Sequence, residues 1–178
     1  LSPPENRGVA MCKIDNEDRD EIKVWLPAFE KIKKISSKRR SDSFMGSDIS
    51  YEDMGQRNLE DYNYELAPDT TILGKDCYSL ISTPLNKKNT SYSSHVTYVE
   101  KLSHLPIYEV SYNSKNRIEK TKKYEYIIID DIYTLNSLYV KNMITGNSTD
   151  LNIENIIIDD NIPDNAFNQS KLKRIPIE

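Results

Sequence analysis

The sequence predicts a mainly β protein, a curved antiparallel sheet with a few short helices, and three observations carry that prediction. Apolar residues recur with a period of two rather than 3.6 along most of the chain, which is the signature of strands. Twelve tyrosines accompany clustered isoleucines, and a tyrosine ring covers a sheet while its hydroxyl tolerates water. Short turn-forming clusters separate roughly nine or ten strand-like runs, which points to an antiparallel meander rather than a βαβ protein.

Residues 8–14 form the first expected strand, ended by the acidic turn Asp15-Asn16-Glu17-Asp18. Residues 21–26 form the second, with Ile22, Val24 and Leu26 on one face and Trp25 on the other. After Pro27, residues 30–36 alternate charged with apolar side chains and read as a third strand, a short helix being the alternative. The period changes between Ser41 and Leu59. Ser43-Phe44-Met45-Gly46-Ser47-Asp48 is loop-like, and Ser50-Tyr51-Glu52-Asp53 has the spacing of a capping box with Asp in place of Glu. One or two helical turns are expected from there to Gly55 or Leu59.

Strands resume at residues 62–66 and 71–82, the latter with Gly74 as a bulge or bend, and again at 95–101 and 107–113. Asn113-Ser114-Lys115-Asn116 reads as a hairpin turn. Residues 117–133 make one long run, charged first and Ile-rich later, of the kind that belongs to a strongly curved sheet. Residues 138–145 and 149–158 flank Gly146-Asn147-Ser148, a hairpin loop with glycine. Pro163 suits the first turn of a helix, expected over residues 163–173.

The 178 residues fit a single domain, 1–178, large enough to bury a core. Charged residues of both signs make up 29% and the net charge is −4, so there is no basic footprint for nucleic acid and no strong pull toward anionic membranes. The longest apolar runs, Ile127-Ile128-Ile129 and Ile156-Ile157-Ile158, fall far short of a membrane span. Cys12 and Cys77 lie in no CxxC motif and read as ordinary, largely buried thiols more than as a disulfide. No signal peptide is visible, and the start at Leu1-Ser2-Pro3-Pro4 reads as a trimmed chain.

Catalytic constellations are missing from the pattern. His95 and His104 lack the spacing that metal sites require, and Asp130-Asp131 and Asp159-Asp160 read as solvated acidic turns at strand ends. The five glycines form neither GxGxxG nor GxxxxGK[ST], and no Gly-x-Ser-x-Gly elbow holds a serine. Cys77 sits inside an apparent strand, a poor place for a thiolate. The expectation is a non-enzymatic chain with no cofactor and no metal.

Two features suit binding instead. The basic run from Lys31 to Arg40 is either a solvated edge strand or a docking surface, through Lys33, Lys34, Lys38, Arg39 and Arg40, for an acidic partner or lipid head group. The alternations Tyr62-x-Tyr64-x-Leu66, Val96-x-Tyr98 and Tyr108-x-Val110-x-Tyr112 either fill a core or line an apolar cavity with polar tips.

Several of these segments also carry a family likeness. Trp25-Leu26-Pro27-Ala28, Lys33-Lys34-Ile35-Ser36, Phe44-Met45-Gly46-Ser47-Asp48 and Tyr51-Glu52-Asp53-Met54 stand in the order seen in LolA-like outer-membrane lipoprotein-sorting proteins. The likeness extends through Tyr62-Asn63-Tyr64, Tyr98-Val99-Glu100-Lys101 and the ending from Asp159 to Phe167, so the chain resembles that family over most of its length. The resemblance implies a strongly curved, unclosed barrel with helices plugging its concave side. It also implies an acyl-chain cavity, with Trp25, Phe44, Met45, Tyr62, Tyr64, Leu66, Tyr98, Tyr108 and Val110 as its expected lining. A carrier role in the periplasm follows, with an RND-type inner-membrane exporter as partner. Two departures stand out. The family's N-terminal helix and early strands would precede Leu1, so an open concave face and homodimerisation are expected. Lys33-Lys34 also occupies positions where the family tends to carry arginines. The alternative function is a β-rich protein-interaction module without a lipid cavity.

Overall fold

The structure is a computed structural model that describes residues 7–14, 21–36, 39–55, 57–88, 90–158, 161–163, 165, 168 and 170–174. The acidic turn expected at Asp15–Asp18 and residue Lys38 lie outside the described residues. The chain forms two compact units, one of residues 1–40 with 159–178 and one of residues 41–158.

The first unit is a three-stranded antiparallel sheet of β1 (Ala10–Ile14), β2 (Glu21–Leu26) and β3 (Lys31–Ile35), in that order. Ile22, Val24 and Ile35 are buried together on one face, as the alternation requires. Residues 31–35 are therefore a strand and not the alternative helix. Pro27 opens a 3-10 turn, Pro27–Phe29, and Glu30 closes it in the left-handed region with its N–H donated to the Pro27 carbonyl. The helix expected over residues 163–173 is replaced, among the described residues, by i→i−3 turns ending in the 3-10 turn Leu172–Arg174. Its Leu172 is buried, and Lys173 Nζ lies 5.4 Å from the centre of the Trp25 ring.

The second unit is a seven-stranded antiparallel meander of β4 (Tyr62–Ile72), β5 (Lys75–Pro84), β6 (Tyr92–Glu100), β7 (Pro106–Asn113), β8 (Ile118–Ile129), β9 (Ile132–Asn142) and β10 (Ser148–Asn152). Each strand pairs with its neighbours in sequence, and β4 and β10 remain as edges, so the sheet is not closed. Register shifts within the β4–β5, β6–β7, β7–β8 and β8–β9 pairs bend and twist it. The shift on β4 falls between Ala67 and Thr70, beside Pro68.

Two turns differ from expectation. Residues 71–82 are not one bulged strand, because Leu73 (φ 53°) and Gly74 (φ 77°) form a two-residue turn between β4 and β5. Two successive positive φ values match the right-handed twist of the flanking strands. The run 117–133 is likewise cut by Asp130 and Asp131, at φ 49° and 61°, into β8 and β9. The turn after β7 forms as read, with Asn113 Oδ1 accepting from the N–H groups of Lys115 and Arg117. The expected strand 149–158 is shorter and ends at Asn152.

Residues 41–61 precede β4 and lie over one face of this sheet. The capping box forms reciprocally: Asp53 N–H donates to Ser50 Oγ at 3.2 Å and Ser50 N–H donates to Asp53 Oδ2 at 2.9 Å. One helical turn follows, with Met54 N–H donating to the Ser50 carbonyl, and a separate 3-10 turn occupies Leu59–Asp61. Ile49 packs with Leu138 and Val140, flanked by Met54, Tyr124 and Leu151.

Candidate functional site

Directly opposed residues of an antiparallel pair share a face, so the pairing register assigns every side chain of the meander to one side. One row on the covered face runs Tyr64, Ser82, His95, Ser111, Lys120, Asn142 from β4 to β9. The next runs Leu66, Leu80, Thr97, Glu109, Lys122, Val140, Thr149 from β4 to β10. These rows are unusual for a sheet interior, because Glu109 and Lys122 are buried along with His95 and Ser111.

The charges are tolerated because they alternate. Lys120 meets Asp53 at 2.7 Å, Asp53 meets Lys122 at 2.7 Å, Lys122 meets Glu109 at 3.1 Å, and Glu109 meets Arg57. The result is a five-member chain, plus–minus–plus–minus–plus, with two members supplied by residues 41–61 and three by the sheet. Its remaining lone pairs are filled: Tyr92 donates its hydroxyl to Asp53 at 3.0 Å and Thr97 donates to Glu109 at 2.9 Å. Burial alone would raise both carboxyl groups. Lys122 and Lys120 outweigh it at Asp53 and hold that group far below the usual carboxylate range. Lys122 and Arg57 do the same at Glu109, down to about 2. The fit is selective in exposure: Lys122 is 4% exposed, Lys120 8%, and Arg57 30%.

His95 contributes no charge to this chain. Burial and the nearby Arg57 guanidinium push its imidazole down to about 3. Its Nδ1 lies 2.9 Å from Ser111 Oγ and 3.6 Å from Glu109, while Nε2 has no partner among the described residues. Serine, histidine and glutamate thus meet, but both contacts fall on the same ring nitrogen and all three groups are buried. A catalytic triad uses opposite nitrogens and an accessible hydroxyl.

Further along the same face the side chains change character. Tyr78, Val99 and Pro106 lie across β5, β6 and β7, while Tyr126 faces Leu135 and Ile128 faces Tyr133 across β8 and β9. Leu66 is 75% exposed, Ile128 61%, Tyr133 52% and Tyr78 39%. They fall in two places, Leu66 and Tyr78 on β4 and β5 and Ile128 and Tyr133 beside the β8–β9 turn, and large apolar groups left open suit a binding surface. Lys101 Nζ stands 5.1 Å from the Tyr78 ring at its margin.

The expected lining residues are therefore divided. Tyr62, Tyr64 and Leu66 point to the covered face; Tyr98, Tyr108 and Val110 point to the opposite one, where the Tyr98 and Tyr108 rings lie 6.1 Å apart. Phe44 and Met45 are half-buried in the loop before the capping box, with Phe44 edge-on to Tyr51 at 5.7 Å. Trp25 belongs to the first unit. The opposite face of the meander holds a depression of about 340 Å³ lined by Lys123, Glu125, Ser137, Tyr139 and Asp150, which is polar. Of the expected docking residues, Lys33 and Lys34 lie on edge strand β3, Lys34 paired with Glu21 at 2.5 Å, and Arg39 and Arg40 follow that strand. Sequence reasoning missed Asp53, Arg57, Glu109, Lys120 and Lys122. The signal that could have found them is opposite charge at alternate positions of neighbouring strands, as in Glu109-x-Ser111 against Lys120-x-Lys122.

A family model described as an uncharacterized protein matches residues 1–174. No curated protein matches the sequence. A domain from Vibrio parahaemolyticus, proposed to be an outer membrane lipoprotein-sorting protein, is similar with a TM-score of 0.89 and 29% identity over 97% of this chain and 74% of that one. A DUF1329 family protein from Desulfovibrio piger gives 0.86 and 31% over 96% of this chain and 73% of that one. A LolA superfamily protein from Nitrosomonas europaea gives 0.64 at 18% identity, covering 91% and 76%, a likeness of fold.

Proposed function

This chain belongs to the DUF1329 family and has the LolA-like fold, and from that premise we propose that it is a non-enzymatic carrier of lipid or lipoprotein acyl chains. The observation that supports this reading is the set of large apolar side chains left open on the covered sheet face, Leu66 and Tyr78 on β4 and β5 and Ile128 and Tyr133 on β8 and β9. An acyl chain laid across these side chains removes apolar surface from water at about 25 cal/mol per Å². Tyr62, Tyr64 and Leu66 keep their expected part in the lining. The twin face of Tyr98, Tyr108 and Val110 turns away from it.

Under this reading the two units act as one LolA-like domain in the periplasm, taking acyl chains toward the outer membrane. An RND-type inner-membrane exporter is the proposed donor. The basic positions Lys33, Lys34, Lys38, Arg39 and Arg40 are its proposed docking surface, and homodimerisation would cover the open half when no cargo is bound. Titration of the purified protein with an environment-sensitive fluorescent fatty acid tests the reading. Saturable binding displaced by unlabelled lipid is expected; a folded sample that binds nothing overturns it.

A further inference from the structure

The buried charge chain ends where the apolar half begins. Arg57 donates to Ser82 Oγ at 3.4 Å and to Glu109, and so spans the two rows that continue into Tyr64 and Leu66 on β4. Leu80 and Thr97 lie between these contacts, in the same row as Leu66 and Glu109. Both ends of the chain are cations, and they differ in access. Lys120 is closed in, with its ammonium 5.8 Å from the Tyr92 ring and 8% of its side chain exposed. Arg57 is the member with an open flank, at 30%.

Glu109 does not consume Arg57. That carboxylate also accepts from Lys122 and Thr97, so the guanidinium shares its anion. A guanidinium offers five N–H donors in a planar fork, and two of them are used in the contacts above. Burial, outweighing the Arg57 charge, makes the Tyr62 hydroxyl a weaker acid than usual, so it stays a neutral donor. A second anion approaching from the apolar half would extend the alternation by one member.

We infer that Arg57 reads an anionic group at the polar end of the cargo, so that the open half takes a fatty acid or an acidic lipid in preference to its uncharged counterpart. This rests on the carrier reading and adds the charge of the substrate and the residue that selects it. The carboxylate of a free fatty acid and the phosphate of a lysophospholipid share the chemistry; both accept two parallel N–H donors.

The test compares cis-parinaric acid with its methyl ester, by fluorescence, at a pH of about 8 where the free acid is ionised. The wild-type chain is expected to bind the acid about tenfold or more tighter than the ester, the scale of a charge-assisted hydrogen-bond pair. Arg57→Gln should bring the acid down to the affinity of the ester and leave the ester unchanged. Arg57→Lys keeps the charge without the fork and should fall between. Displacement by lysophosphatidic acid against oleic acid tells phosphate from carboxylate as the favoured group. Equal binding of acid and ester by the wild-type chain overturns the inference and leaves the carrier reading standing. Binding of neither overturns both. The wild-type comparison decides the matter even where Arg57→Gln fails to fold, and a folded Arg57→Gln that keeps the preference also sinks it.

Discussion

Two parts of one sheet face differ in what they bury. In one, Glu109, Lys120 and Lys122 are buried under residues 41–61, the Asp53 side chain of that segment is closed in with them, and every carboxylate oxygen has a donor. In the other, Leu66, Ile128 and Tyr133 stand in water. Beside the small apolar core of Ile49, Leu138 and Val140, charges thus lie inside and several large apolar groups outside. The lesson is that burial follows partnership. A charge is held inside when another element brings its counter-charge, and an apolar group stays outside when the chain supplies nothing to lay over it.

The sharpest way to break this comparison is to remove the one acid that joins both lysines. Asp53→Ala leaves Lys120 and Lys122 facing each other without their shared anion, and also takes an acceptor from Ser50 and Tyr92. The expected loss is about 3–5 kcal/mol, read as a shift of the urea midpoint. A loss under about 1 kcal/mol would mean that water already reaches this pair.

Acid should loosen the same half before the other. Burial first, then Arg57, lowers His95 from 6.5 to about 3, so the unfolded chain takes a proton there that the folded one refuses. The resulting stability is complete above pH 6.5 and is lost as pH falls toward 3, at up to about 1.4 kcal/mol per pH unit. Glu109 adds a second loss between 4.5 and about 2. His95→Gln should flatten the upper window and leave the lower one. Identical urea midpoints for the wild-type chain at pH 7 and pH 5 would contradict the assignment.

The open half should respond in the opposite sense. Leu66→Ser and Ile128→Ser, at exposed positions, are expected to change stability by no more than about 0.5 kcal/mol. Together they should weaken fatty-acid binding about tenfold, since each removes apolar surface the cargo would cover. Unchanged binding would move the lipid to another surface. The smallest effect belongs to the rim of that half. Leu73 holds φ 53° in the β4–β5 turn, a conformation that costs a non-glycine residue about 1 kcal/mol, whereas asparagine adopts it readily. Leu73→Asn should raise the midpoint by about that amount without altering lipid affinity.

What could be read ahead of the structure divides along the same line. The meander was legible because alternation is a local property: β2, for example, runs over Glu21–Leu26 as expected. The face each strand buries was not. Tyr108 and Val110 looked like the inward set of β7, yet Glu109 and Ser111 are buried and their aromatic neighbours are half-exposed. The partners that make this affordable, Arg57 and Lys122, lie on either side of Glu109 in sequence, and such distances carry no periodic signal. The capping box was visible in Ser50 and Asp53, but its second duty as the anion between two lysines was not. The acidic turn at Asp130-Asp131 was legible, although the run 117–133 was still read as continuous across it, whereas the turn at Leu73-Gly74 was read only as a bulge or bend.

One consequence of the outer strand remains. An eleven-residue edge, β4, beside an uncovered apolar surface is the arrangement from which fibrils and strand-stacked aggregates grow. Here Pro68 withholds an N–H, the register slips between Ala67 and Thr70, and Glu65 and Asp69 set charge along the edge. An arriving strand would find its ladder broken near the middle. The chain can thus keep a greasy surface open while its own copies are discouraged from polymerising.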